Sequence, residues 1–271
     1  MKATVLVDNI ASRGFAGEWG LSIHIAYQDR KILLDTGASS LFLENAKQCG
    51  ISIEDVDAAV LSHAHWDHAN GMEPFFQNNE KACFYLRKES AENCYGKAFW
   101  IFKKYIGLPR GVSARYADRI RYVSGRSEIL PGVTLLPHST SGLERYGRRN
   151  DLYVKKNGRM QPDDFAHEQS LVLDAGDGLV VFNSCSHGGA DNIIKEAEKA
   201  FPDKSIKALV GGFHLFLNTD EEVHALADRI RKTGIREIYT GHCTGQHAYD
   251  ILKEELGDAA HQLSSGMVME F

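Results

Sequence analysis

The chain has 271 residues, of which 43% are hydrophobic, and a formal net charge of -5. A chain of this length and apolar content can bury one large core or two modest ones, and we expect a single domain over residues 1–271. The acidic balance and scattered basic residues argue against nucleic-acid binding, because proteins with that function usually carry a basic face. No stretch of 18 apolar residues occurs, and the apolar N-terminal run is too short for a signal peptide. We therefore expect a soluble, cytoplasmic protein with no membrane partner.

The first third of the sequence alternates apolar and polar residues as paired strands do. Strands are predicted over residues 4–7, 21–27 and 31–35, with a hairpin turn at residues 28–30. A helix is predicted to follow at residues 41–50 and to end at its glycine. The apolar run at residues 57–62 then predicts a buried strand.

A cluster of histidines begins where that strand ends. His63, His65, Asp67 and His68 lie within six positions of one another. Imidazole and carboxylate are ligands that borderline divalent metals prefer, and four donors in one turn are enough to begin two adjacent metal sites. A chance cluster on a solvated loop is the alternative, but the strand leading directly into the donors argues against it.

The middle of the chain is less regular, and we interpret residues 87–161 as an insertion or lid. Its aromatic residues fit either a pocket lining or the core, and their helical spacing favours the core; they are Phe99, Trp100, Phe102 and Tyr105.

The last part repeats one unit, which is a strand, a loop with a histidine, and a helix. Strands near residues 179–182, 207–211 and 237–240 run into loops that carry His187, His214 and His242. Helices are predicted over residues 190–201, 220–233 and 246–256. Because parallel strands place their carboxyl ends along one edge of a sheet, we expect these histidines to lie along that edge and to converge on the cluster at residues 63–68.

With Asp35-Thr-Gly added, this order of motifs resembles the metallo-β-lactamase superfamily over nearly the whole chain. Residues 184–187, 211–215 and 241–245 are similar to a subgroup named either for dihydropterin-ribofuranosylaminobenzene-phosphate synthase or for metal-dependent hydrolases. The resemblance implies an α/β fold, the four-layered αββα sandwich, with a one- or two-metal site at one edge.

The resemblance also implies a ligand set. His63 and His65 would bind a first metal, and Asp67, His68 and His242 a second. Residues 165–171 stand where many members of the superfamily have a loop with a ligand histidine. His167 or Glu168 is therefore an alternative ligand at that position. Residues 184–187 replace a bridging aspartate; we favour His187 over Cys185, because imidazole suits the same metals and a bridging thiolate would invite oxidation. The predicted ligands are His63, His65, Asp67, His68, His187 and His242.

The chemistry implied is that of two divalent ions. Zinc is the first expectation, and manganese and iron are alternatives, because one donor set serves all three. A metal-bound hydroxide would be the nucleophile, since a divalent ion can lower the pKa of bound water to about 7. Asp67 would orient this hydroxide, and His214 would protonate the leaving group. Asp35 is expected to hydrogen-bond a ligand histidine and to fix its tautomer.

We therefore predict an enzyme, a metal-dependent hydrolase acting on an ester, lactone or phosphoester of a small metabolite. One alternative is a synthase of the methanopterin type that couples a pterin to an arylamine. Another is a non-hydrolytic redox or sensor protein. The pattern makes no prediction of the oligomeric state.

Overall fold

The computed structural model describes residues 1–98 and 102–271. Within them the strands, in chain order, are Lys2–Val7 (β1), Ser22–Tyr27 (β2), Arg30–Leu34 (β3), Ala58–Val60 (β4), Cys83–Arg87 (β5), Cys94–Ala98 (β6), Phe102–Tyr105 (β7), Ile120–Val123 (β8), Ser127–Leu130 (β9), Val133–Pro137 (β10), Leu152–Lys156 (β11), Arg159–Pro162 (β12), Gln169–Asp174 (β13), Leu179–Phe182 (β14), Ile206–Gly211 (β15), Glu237–Thr240 (β16), Ala260–Gln262 (β17) and Val268–Glu270 (β18). The α-helices are Leu41–Gln48 (α1), Trp66–Ala69 (α2), Met72–Asn78 (α3), Val112–Arg115 (α4), Glu144–Arg149 (α5), Ala190–Ala200 (α6), Asp220–Thr233 (α7) and Gln246–Leu256 (α8). Short 3-10 helices are Ile53–Asp55, Ala117–Arg119, His242–Thr244 and Gly257–Ala259.

The chain divides into two compact units. The first consists of Met1–Ser124, Gly142–Glu168 and Ser264–Glu270. The second consists of Gly125–Ser141 and Gln169–Leu263, with Phe271. The single domain and the lid at residues 87–161 stay predictions from the sequence.

The main sheet of the first unit positions the histidine cluster. Its strand order among the described residues is β18-β1-β2-β3-β4-β5-β8. The early strands pair antiparallel, whereas β3, β4, β5 and β8 pair parallel, so β4 is an inner strand. All three residues of β4 are buried, as the apolar run predicts. Packed against the sheet is an apolar core that includes Leu33, Phe42, Phe75, Phe84 and Leu86.

A second sheet of the first unit, with the order β12-β11-β6-β7, is formed largely by the irregular middle of the sequence. Phe102 lies on β7 with 68% of its surface exposed, so its predicted place in the core is wrong. The helical spacing of the aromatic residues gave a wrong prediction for Phe102 because this residue lies on a strand, in which neighbouring side chains point to opposite faces. Tyr105 is half-buried, and Phe99 and Trp100 lie outside the described residues.

The second unit contains the repeated strand, loop and helix. Its sheet has the order β17-β16-β15-β14-β13-β10-β9 among the described residues, and β14 to β17 pair parallel. The three predicted helices are confirmed as α6, α7 and α8. Helix α7 begins with a reciprocal capping box of Thr219 and Glu222 and ends at Gly234 with φ +72°.

Among the described residues, none of the helices has both the length and the apolar composition needed to cross a membrane.

Candidate metal centre

The histidine cluster lies in the loop that follows β4 and in the short helix α2. His65 has an extended backbone, with φ -96° and ψ 150°, and directly precedes this helix. All four predicted donors in this segment are buried: His63 and His68 are fully inaccessible, and His65 and Asp67 are 5% and 8% exposed. The ring centroid of His63 lies 4.7 Å from that of His65 and 4.2 Å from that of His68. The local sequence thus brings three imidazoles together below the surface.

Asp35 fixes the ring of His68. Its backbone is left-handed, with φ +57°, and its carboxylate is fully buried. Oδ1 accepts a hydrogen bond from the backbone N–H of Ser62 at 2.7 Å, and Oδ2 accepts one from the Ser62 hydroxyl at 2.6 Å. Oδ2 also lies 2.8 Å from Nδ1 of His68. Because a carboxylate only accepts, Nδ1 of His68 carries the proton and Nε2 carries the lone pair. The predicted hydrogen bond from a cluster histidine to Asp35 is therefore present.

Ser62 transfers the same constraint to His63. Its Oγ lies 2.8 Å from Nδ1 of His63. The hydroxyl has one proton, which it donates to Asp35, so it must accept a hydrogen bond from Nδ1–H of His63. Both rings therefore keep an Nε2 lone pair for a ligand bond. Neutral imidazoles held in one tautomer by a carboxylate are the arrangement in which histidine binds a divalent metal, and these residues fit such an ion.

The turn that carries the cluster is held by close backbone contacts. The N–H and hydroxyl of Thr36 both donate to the carbonyl oxygen of His68 at 2.9 Å. A Cβ at Gly71 would lie 2.4 Å from the carbonyl oxygen of Thr36, so only glycine fits there. The indole of Trp19 donates to Oδ2 of Asp67 at 3.0 Å, and this oxygen is 3.8 Å from Nε2 of His68.

Asp163 and His167 form a buried pair beside His65. The backbone N–H of Ala64 donates to Nδ1 of His167 at 3.1 Å, and Nε2 of His167 lies 3.0 Å from Oδ2 of Asp163. Oδ2 is also 3.8 Å from Nε2 of His65. Burial opposes the charge on Asp163, but the adjacent imidazoles of His167 and His65 hold its pKa well below the usual range.

The sequence pattern does not point to Asp163. Nothing in its local spacing marks a site residue, and the contact that connects its partner His167 to the cluster spans 103 positions. His167 was expected only as an alternative ligand. Both of its ring nitrogens are engaged by other groups, which argues against that role.

In the second unit, His187 and His214 lie on loops that follow neighbouring parallel strands. Their ring centroids are 4.6 Å apart. His214 and His242 have φ +51° and +47°, and Ser186 has φ +46°. Such left-handed backbone is uncommon for residues other than glycine, and it concentrates where function constrains a loop. Two of the three strand-end histidines, His214 and His242, therefore lie at left-handed positions, and His187 follows one.

Two buried thiols accompany His242. The sulfur atoms of Cys185 and Cys243 are 3.4 Å apart, and one ligand atom from each of these residues and His242 lies within 4.8 Å of the others. The backbone N–H of His214 donates to the sulfur of Cys243 at 3.2 Å. A Cβ at Gly212 would lie 2.5 Å from the same sulfur. Cys185 therefore stays an alternative ligand to His187.

Comparison with known proteins identifies the family. The family model described as Metallo-beta-lactamase superfamily matches residues 20–154. The crystal structure of Tm1679, described as a metal-dependent hydrolase of the β-lactamase superfamily, is 30% identical to this chain. The alignment covers 100% of this chain and 99% of Tm1679, with a TM-score of 0.83. This chain belongs to the metallo-β-lactamase superfamily.

Other similar proteins differ more in sequence. A curated Methanocaldococcus jannaschii protein named 7,8-dihydropterin-6-methyl-4-(beta-D-ribofuranosyl)-aminobenzene-5'-phosphate synthase is 26% identical, over 95% of this chain and 91% of that protein. The metallo-β-lactamase fold protein YhfI from Bacillus subtilis is 16% identical, with a TM-score of 0.59 over 100% of this chain and 99% of YhfI.

Membership of the metallo-β-lactamase superfamily confirms the predicted fold class, the αββα sandwich. The fold also implies that this member binds divalent metal, for which the buried clusters supply candidate ligand groups. The superfamily consists mostly of metal-dependent hydrolases and related enzymes, which supports an enzymatic role.

Proposed function

We propose that this protein is a metal-dependent hydrolase that cleaves an ester, lactone or phosphoester of a small metabolite. The observation that carries the proposal is the hydrogen bonding of Asp35 and Ser62, which leaves Nε2 of both His63 and His68 as a ligand atom. A divalent ion, when bound, acidifies the water that it holds and can lower the pKa of that water to about 7. A description of Tm1679 as a metal-dependent hydrolase supports the same reaction class.

The ligand set that we propose is the one predicted from the sequence, with zinc as the first expectation for two metal ions. The order of the motifs in the family supports it. His167 is better explained as a residue that positions its neighbours, because Ala64 and Asp163 occupy its two ring nitrogens. The proposed ligands are His63, His65, Asp67, His68, His187 and His242.

Asp67 and His214 are the residues to which we assign proton handling. Trp19 donates to Oδ2 of Asp67, which holds the carboxylate in place to accept a hydrogen bond from the attacking water. His214 would donate a ring proton to the leaving-group oxygen. Its left-handed backbone and the hydrogen bond from its N–H to Cys243 hold the loop that carries it.

The test combines metal analysis with a substrate panel. His65→Ala is expected to lower the bound metal and abolish hydrolysis of phosphodiesters, lactones or thioesters. His224→Ala is a matched control, because His224 is an exposed helical residue that hydrogen-bonds Glu255. A full metal load and wild-type turnover in His65→Ala would contradict the proposal.

A second pair of variants separates the two ligand alternatives in the second unit. We expect His187→Ala to lose metal and Cys185→Ser to retain it. The reverse result would assign the ligand role to Cys185.

A second candidate function is the coupling of a pterin to an arylamine, favoured by the name of the Methanocaldococcus jannaschii relative. A cavity of about 250 Å³ in the first unit is lined by Trp66, Asn70, Lys104 and Tyr105, among others. Aromatic faces beside an ammonium group suit a planar substrate with an acidic substituent. Mass spectrometry should then detect a coupled product after incubation with phosphorylated pterin and arylamine substrates. Hydrolysis without a coupled product would contradict the synthase and support the hydrolase.

A further inference from the structure

Asp163 is a carboxylate with no exposure to solvent, in a segment that the family pattern does not mark. Burying a charge is costly unless specific partners compensate for it. Oδ1 accepts a hydrogen bond from the backbone N–H of Phe165 at 2.8 Å. Oδ2 lies 3.0 Å from Nε2 of His167 and 3.8 Å from Nε2 of His65. Oδ1 is thus hydrogen-bonded to a backbone N–H, and Oδ2 faces one imidazole nitrogen at hydrogen-bond distance and a second at 3.8 Å.

His167 defines the direction of these hydrogen bonds. Its Nδ1 accepts from the backbone N–H of Ala64, so Nδ1 carries a lone pair. The ring proton is therefore on Nε2, from which it is donated to Asp163. The negative charge of Asp163 then faces Nε2 of His65 within Coulombic range and favours a proton on that atom too.

The backbone around Asp163 is built to hold this orientation. A Cβ at Gly147, on α5, would lie 2.2 Å from the carbonyl oxygen of Asp163, so this helix approaches the segment as closely as glycine permits. Phe165 is fully buried and has φ +53°, which is strained for a residue with a side chain. The backbone that carries the carboxylate is therefore closely constrained.

We propose that Asp163 is a positioning residue for His65. It keeps His65 in the Nε2–H tautomer, so that this ring binds metal through Nδ1, whereas His63 and His68 bind through Nε2. His167 hydrogen-bonds Asp163 and also accepts a hydrogen bond from the backbone N–H of Ala64, which lies between the ligands His63 and His65. This inference rests on the proposed metal-dependent function.

The substitution Asp163→Asn tests the role with almost no change in shape. The two oxygens of Asp163 accept from different sides, one from the N–H of Phe165 and the other from the imidazole of His167. In the variant, the amide NH2 must therefore face one of these donors and cannot accept its hydrogen bond. We expect zinc affinity to fall about 10- to 100-fold, the usual effect of losing such a partner. Long-range 1H–15N NMR of the imidazoles should also show loss of the Nε2–H, Nδ1-bound state of His65.

Asp8→Asn is the matched control. Asp8 is also a fully buried carboxylate in the first unit, and it accepts a hydrogen bond from the N–H of Ile10 at 3.0 Å. This variant should lose stability yet keep the zinc affinity and the imidazole spectrum of the wild type.

The outcomes separate the inference from the function on which it rests. A folded Asp163→Asn with wild-type zinc affinity and an unchanged His65 signal would overturn the inference alone. The wild-type spectrum is a test that needs no variant, because His65 protonated on Nδ1 in metal-free protein would also overturn it. Wild-type protein that binds no divalent metal would instead refute the proposed function, while the metal-free tautomer of His65 still decides the role of Asp163.

Discussion

Replacing Asp35 with asparagine perturbs the hydrogen bonds on which the candidate metal centre depends. The carboxylate accepts two hydrogen bonds from Ser62 and one from His68. In Asp35→Asn, one of its oxygens becomes an NH2 group. If the amide oxygen keeps the bond to the backbone N–H of Ser62, the NH2 group faces the Ser62 hydroxyl and Nδ1–H of His68.

The rearrangement that follows would reach His63. The Ser62 hydroxyl would accept from the amide and give its own proton to Nδ1 of His63, which moves the ring proton to Nε2 and removes a ligand atom. Two charge-assisted hydrogen bonds of about 1.5–3 kcal/mol each are lost, so the free energy of unfolding should fall by at most about 3–6 kcal/mol. Zinc affinity should fall about 10- to 100-fold, or about 1.4–2.8 kcal/mol.

Two measurements separate these effects. Urea unfolding of metal-free protein reports the stability, and competition with a chromophoric chelator reports the zinc affinity. Ser62→Ala is the comparison, because it removes the contact to His63 but keeps the bond between Asp35 and His68. It should therefore lose less stability. Wild-type zinc affinity in a folded Asp35→Asn protein would refute the assignment of tautomers.

Three further predictions concern stability. Burial, with a smaller effect of Lys31, lowers the pKa of His24 from 6.5 to about 4. Between these two pH values the folded state binds fewer protons than the unfolded state. The stability that neutral His24 contributes is therefore complete above pH 6.5 and is lost as the pH falls toward 4. Urea unfolding should show that the free energy of unfolding is about 2–3 kcal/mol lower at pH 4.5 than at pH 7, and that this difference disappears in His24→Gln. The same difference in wild type and variant would contradict the prediction. Gly71→Ala should cost about 1–3 kcal/mol in thermal unfolding and weaken zinc binding, because its Cβ would meet the Thr36 carbonyl at 2.4 Å; unaltered melting would argue against so close an approach. Thr219→Ala should cost about 1 kcal/mol by removing the cap of α7 while zinc affinity stays the same, so a change in zinc affinity would count against a purely local role.

Local sequence patterns account for the features that depend on near neighbours along the chain. The buried strand before the cluster, the strand-loop-helix units and the end of α7 at Gly234 follow from apolar periodicity and from glycine, which act within a few residues. The spacing of His63, His65 and His68 suffices to bring their rings together, because one turn carries all three.

Contacts between segments far apart in the chain, and not local patterns, select the groups that hold these rings in place. Asp163 reaches His65 from a different segment, and the sulfur atoms of Cys185 and Cys243 meet across 58 positions. Phe102 is exposed on a strand, although helical spacing placed it in the core. These outcomes depend on how closely separate segments pack, as at Gly147 and Gly212, and periodicity along one segment carries no information about that distance.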